Sequence, residues 1–89
     1  MKADNRWSME VFVAEIDGET DAGARLAKAD SRSLWGRGKA KLSPADRNVW
    51  VIGEEIAIAR ALSDLSHKLL YSAAVGVESM THAKSRLHR

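Results

Sequence analysis

Leu34-Trp35-Gly36-Arg37-Gly38-Lys39-Ala40-Lys41-Leu42 is the stretch on which the fold turns. Leu34, Gly36, Gly38, Ala40 and Leu42 alternate with Trp35, Arg37, Lys39 and Lys41, the period-two pattern of a strand with one inward and one outward face. Two inward positions are glycine, which weakens a strand but lets something bulky come close to its backbone. A helix packed across this strand is the partner those glycines predict.

Upstream, the alternation repeats. Trp7, Met9, Val11 and Val13 are apolar with Ser8 and Glu10 between them, which predicts a strand over 7–15 with one face on a core. Asp17-Gly18-Glu19 supplies hairpin chemistry, because Asp-Gly tolerates positive backbone angles. A second strand follows over about 21–28, with Ala22, Ala24 and Leu26 inward and Arg25 outward; Ala29-Asp30-Ser31-Arg32-Ser33 is a polar turn. Downstream, Pro44 cannot continue a ladder, so 43–48 is a loop.

From Gly53 the period changes to 3.6. Ile58, Leu62, Leu65, Leu69 and Ala73 share one helical face, and Arg60, Ser63, Asp64, His67, Lys68 and Tyr71 the other. Glu54 and Glu55 fall in the expected first turn, complementing the helix dipole. Arg60 with Asp64 and Asp64 with Lys68 make i,i+4 pairs. Gly76 marks the helix end or a weak spot before a last turn near Thr81, and 82–89 read as a polar tail. The expectation is a single α+β domain over 1–81, a three-stranded antiparallel β-meander followed by one long helix on one face, β-β-β-α.

Composition agrees with one small folded domain. The chain has 89 residues, 45% hydrophobic and 29% charged, and no cysteine, which removes disulfides, thiolate zinc sites and cysteine nucleophiles together. The longest apolar runs, such as Val49-Trp50-Val51-Ile52, are too short to span a membrane. Met1-Lys2-Ala3-Asp4-Asn5-Arg6 shows no apolar signal core. A soluble, cytoplasmic protein is the expectation.

Charge is unevenly spread. Asp4, Glu10, Glu15, Asp17, Glu19 and Asp21 outweigh Lys2 and Arg6 in the first 24 residues, whereas over 25–41 Asp30 alone opposes Arg25, Lys28, Arg32, Arg37, Lys39 and Lys41. Such blocks suit two adjoining strands of complementary charge, or a basic face offered to phosphate or an acidic partner. One helix covers only one face of a three-stranded sheet. The face left open carries Phe12, Arg25, Trp35, Arg37, Lys39 and Lys41, the candidate surface for a partner or nucleic acid.

Ser43-Pro44-Ala45-Asp46, Ile52-Gly53-Glu54-Glu55-Ile56-Ala57 and Ala59-Arg60-Ala61-Leu62-Ser63-Asp64-Leu65 resemble a family of short uncharacterised actinobacterial proteins, found in mycobacteria and streptomycetes. The family has a Pro-Ala-Asp loop and an Ile-Gly-acidic-Glu helix start, and the similarity runs from the first strand to about Thr81. The resemblance implies a fold like that of double-stranded-RNA-binding domains without their first helix. It implies no biochemical role. Those domains place lysines at the start of the helix after the strands, where this chain has Gly53-Glu54-Glu55, and only six residues precede its first strand. Both departures count against the usual mode of duplex-RNA recognition.

The remaining chemistry-bearing residues have plainer readings. Ser63, Asp64 and His67 neighbour one another on an exposed helix face, which offers neither a strained nucleophile turn nor an oxyanion hole. His82 and His88 lack a zinc spacing, and Gly36-Arg37-Gly38 lacks the helix start of a phosphate loop. Helix capping accounts for Glu54 and Glu55, and Trp7 and Trp50 read as core plugs. The sequence therefore predicts no catalytic residue, cofactor, metal or small-molecule ligand, and a binding protein rather than an enzyme. The leading expectation is a homo-oligomer, a dimer, that interacts through the open sheet face. The alternative is weak nucleic-acid binding by Trp35, Arg37, Lys39 and Lys41, since sheet modules stack bases on aromatics and track phosphates with cations.

Overall fold

Asp17 and Gly18 both take positive φ, 50° and 77°, as a two-residue type I′ hairpin needs. They join β1 (Ser8–Ile16) to β2 (Glu19–Ala27), with Ile16 opposite Glu19. Past β2 the Lys28 backbone N–H donates to the Arg32 carbonyl at 2.8 Å, β3 (Ser33–Lys41) follows, and α1 (Val49–Leu87) completes the order. The sheet is an antiparallel meander, β1-β2-β3, as expected. The computed structural model describes residues 5–28, 32–41 and 49–87, with backbone alone for 49, 50 and 82–87. Residues 29–31 of the expected polar turn, Leu42, the 43–48 loop, the Trp50 side chain, the side chains of 82–87 and residues 88–89 therefore lie outside the described residues.

The glycines of β3 act as their spacing predicts. A Cβ on Gly36 would stand 2.2 Å from the Ala61 carbonyl oxygen, and one on Gly38 the same distance from that of Ala57. The helix backbone rests directly on the strand. That closeness selects small residues on the helix: Gly53, Ala57, Ala61 and Leu65, four apart, form its buried line. The expected stripe of Ile58, Leu62, Leu65, Leu69 and Ala73 is corrected, because Leu62 and Ala73 are exposed. The core comprises Ala22, Ala24, Ala40, Ala57, Ala61 and Leu65, with Val13, Leu26, Leu34, Ile56 and Ile58 packed partly buried against it.

Helix and sheet do not match in extent. At 1.5 Å per residue the 39 residues of α1 span about 58 Å, whereas nine-residue strands reach about 30 Å. The molecule is accordingly elongated, 66 × 30 × 16 Å. The helix starts at Val49, four residues before the expected point, and passes Gly76 and Thr81 to Leu87. Its first turn contains no acidic residue, so the dipole account of Glu54 and Glu55 fails. Periodicity missed these ends because no sheet lies beneath them to impose a contrast between faces. Val51, Ile52, Leu70, Tyr71, Val75, Val77 and Met80 are all exposed.

The helix lies over β3 and β2 and barely reaches β1. Met9 and Val11 point to the helix side yet remain 51% and 41% exposed, so the core-facing reading of β1 holds only for half-buried Val13. Trp7, expected as a core plug, is also exposed. Among the described residues no helix is long and apolar enough to cross a membrane.

Candidate functional site

Strand register fixes the open face. Arg25 on the central strand lies between Glu10 and Trp35, Gly23 between Phe12 and Arg37, Asp21 between Ala14 and Lys39, and Glu19 between Ile16 and Lys41. Because side chains alternate across a sheet, Phe12, Arg25, Trp35, Arg37, Lys39 and Lys41 all share the face away from α1. Phe12 and Trp35 belong to opposite edge strands but stack with ring centroids 5.7 Å apart and planes 25° from parallel. Gly23 makes this possible: a Cβ there would already touch the Trp35 ring at 3.4 Å. An aromatic laid over a strand glycine covers otherwise bare backbone, and the stacked pair gains about 0.5–1.5 kcal/mol beyond its buried area. Both rings remain about half exposed.

The charge on this face is mixed. Arg25 donates to the Glu10 carboxylate in an ion pair, and Lys39 stands 3.9 Å from Glu19. Asp21 is opposite Lys39 in register, and its Oδ1 is buried with no hydrogen-bond partner among the described residues. Four cations thus share the surface with three carboxylates, and the uneven charge along the chain resolves into strands of complementary sign. The parity rule that found the cations would have found Glu10, Glu19 and Asp21 as well.

The polar face of α1 has a structural task that sequence reasoning assigned to solvent. Arg60 donates to the Lys39 carbonyl at 2.7 Å, the Arg37 backbone N–H donates to Asp64 at 2.9 Å, and Lys68 donates to the Trp35 carbonyl at 2.8 Å. Three side chains four residues apart thereby satisfy three outward backbone groups of β3, the Trp35 and Lys39 carbonyls and the Arg37 N–H, which would otherwise invite strand pairing. Asp64 also pairs with Lys68 at 3.1 Å. The Arg37 N–H above all, and then Lys68, holds its carboxyl below the ordinary value of 3.8. His67 Nδ1 lies 2.8 Å from the Ser63 carbonyl, so Ser63 engages the ring through its backbone and Asp64 is committed to the strand edge. The three residues do not form a catalytic chain. Beside them, where α1 leaves the sheet, Leu34, His67, Lys68, Tyr71, Ser72 and Val75 line an open, largely apolar groove of about 490 Å³.

Comparison with known proteins places the chain among close relatives. The family model described as Rv2632c-like matches residues 5–86. "Uncharacterized protein Mb1767" of Mycobacterium bovis is 43% identical over 81 residues, covering 91% of this chain and 85% of that protein. "Uncharacterized protein Rv2632c" of Mycobacterium tuberculosis is 46% identical over 74 residues, covering 83% and 78%. The crystal structure of Rv2632c superposes with a TM-score of 0.79 at 42% identity, over 91% of this chain and 95% of that one.

Proposed function

The chain belongs to the Rv2632c-like family, and we propose that it works by binding rather than catalysis, as a small homo-oligomeric interaction module with the open sheet face as its working surface. The carrying observation is the Phe12–Trp35 pair, stacked over Gly23 and left half exposed at the centre of a face bearing both signs of charge. Aromatics inside a ring of charged groups are the composition of an interface centre with a polar rim. A cytoplasmic setting belongs to the same proposal. The face measures about 30 by 14 Å from strand length and spacing, roughly 400 Å², against the ~800 Å² per partner of a stable interface. Association through it is therefore weak and concentration-dependent.

Light scattering across a concentration series tests the proposal. Trp35→Glu is expected to stay folded by circular dichroism and to show a smaller mean mass than wild type at high concentration; equal masses throughout would overturn it. Nucleic-acid binding by Trp35, Arg37, Lys39 and Lys41 is the competing use of the face. The expected likeness to double-stranded-RNA-binding domains lends it little, because Glu10, Glu19 and Asp21 lie among the same cations. Saturable anisotropy with labelled RNA or DNA, falling steeply with salt, would move the working surface to that partner.

A further inference from the structure

Among the described residues the buried core contains five alanines and one leucine, and no large side chain is fully buried. Apart from the open sheet face and the start of α1, exposed apolar surface among the described residues forms two tracts. One is the helix-side strip of β1, where Met9 and Val11 are open beside half-buried Val13. The other is the part of α1 beyond the sheet. Leu69-Leu70-Tyr71-Ser72-Ala73-Ala74-Val75-Gly76-Val77 contains no charged residue, and Leu70, Tyr71, Val75, Val77 and, further on, Met80 are exposed. A helix that is apolar all round is ordinarily a buried helix. The strip lacks a helix, and the helix lacks a sheet.

We propose that each supplies the other across a two-fold axis: the overhanging part of α1 in one copy lies on the β1 strip of a second copy, and the reverse contact is made at the same time. The direction of the helix fits. Ala57 sits at Gly38, Ala61 at Gly36, and Ser72 is reached by Lys28 at 3.5 Å, so α1 leaves the sheet past the end where Ser8, Ala27 and Ser33 are in register. That is where β1 begins, and a second copy set end to end presents Met9 and then Val11 to the emerging helix. The lateral spacing fits as well. The strip lies one and a half to two strand spacings from its own helix, about 7–10 Å, a range that includes the 8–10 Å at which two helices pack side by side. An axis normal to the sheets makes the two helices antiparallel neighbours and the contact isologous.

Area favours a second copy as the occupant. An overhang and a strip, each about 20–30 Å long and 10 Å wide, are contributed by both copies, giving roughly 1,000 Å² in total, about the minimum a biological interface should clear and more than the roughly 800 Å² two open sheet faces would bury. The polar helix residues Arg60, Asp64 and Lys68 face the β3 edge and stay outside the contact. This interface is separate from the open sheet face and does not depend on it.

The chain has no cysteine, so introduced thiols report position directly. Met9→Cys chains mixed with Met80→Cys chains and treated with a short bismaleimide are expected to give a covalent heterodimer. Ile16→Cys at the far end of β1, mixed with Met80→Cys, is expected to give none. Met80→Glu alters an exposed side chain and is expected to keep the wild-type circular dichroism while halving the mass at low concentration. A wild-type monomer at all concentrations, a dimer unaffected by Met80→Glu, or equal crosslinking from Met9 and Ile16 would each overturn the proposal. Mass lost in Met80→Glu but kept in Trp35→Glu supports this contact and removes the sheet face from self-association; the opposite pattern does the reverse.

Discussion

Substituting Gly36 by alanine tests the central packing relation of the fold. The added methyl would lie 2.2 Å from the Ala61 carbonyl oxygen and 2.6 Å from the Leu65 backbone nitrogen, where ordinary contact begins at 3.4 Å. These are helix backbone atoms that no rotamer change can move, so α1 must lift by about 1.2 Å, the difference between 3.4 and 2.2 Å. Overpacking of this kind costs about 1–3 kcal/mol, and a gap near 1 Å forfeits up to about half of each dispersion contact it opens. The opened contacts are those of a core that, among the described residues, is five alanines and Leu65, short side chains that reach poorly into an opened gap, which places the cost at the upper end. Replacing glycine returns about 0.4–1 kcal/mol through the unfolded chain, leaving a net loss of about 2–2.6 kcal/mol. For a domain this size the melting temperature falls by about 10–20 °C. Urea and thermal unfolding by circular dichroism, at fixed protein concentration because association shifts apparent stability, measure it. The Gly36→Ala, Gly38→Ala double variant should lose less than the sum of the singles, since one displacement of the helix relieves both clashes. A Gly36→Ala protein within about 0.5 kcal/mol of wild type, the range of a neutral surface change, would refute the argument that the glycine exists for helix contact.

Two further tests probe α1. Asp64 has its carboxyl held below 3.8 by the Arg37 N–H and Lys68, so its contribution is present above that pH and lost as pH falls through the lowered value. Melting temperature should therefore drop more steeply with acidification below 3.8 in wild type than in Asp64→Asn, which cannot titrate; parallel curves would remove Asp64 from the acid response. A Cβ on Gly76 would meet nothing within 4 Å, and the residue lies inside α1. Gly76→Ala should therefore raise stability by about 0.5–1 kcal/mol through helix propensity, and a lower urea midpoint at unchanged slope would contradict this.

The order of elements, the hairpin at Asp17 and Gly18, and the parity that puts Phe12, Arg25, Trp35, Arg37, Lys39 and Lys41 on one side were all legible in the amino-acid pattern. These are local properties: a turn needs only its own backbone angles, and alternation needs only the pleat. The glycines at 36 and 38 even announced an object crossing their strand. The tertiary structure alone decided which line of the helix that object would present. Periodicity looks for apolar residues at helical spacing and so chose Leu62 and Ala73 beside Leu65, whereas a bare glycine backbone accepts Gly53, Ala57 and Ala61. Only the assembled sheet edge showed Arg60, Asp64 and Lys68 to be its cover rather than a solvated face. The exposure of Met9 and Val11 was equally invisible, because alternation says that a strand has an apolar face but not whether the one available helix is wide enough to cover it.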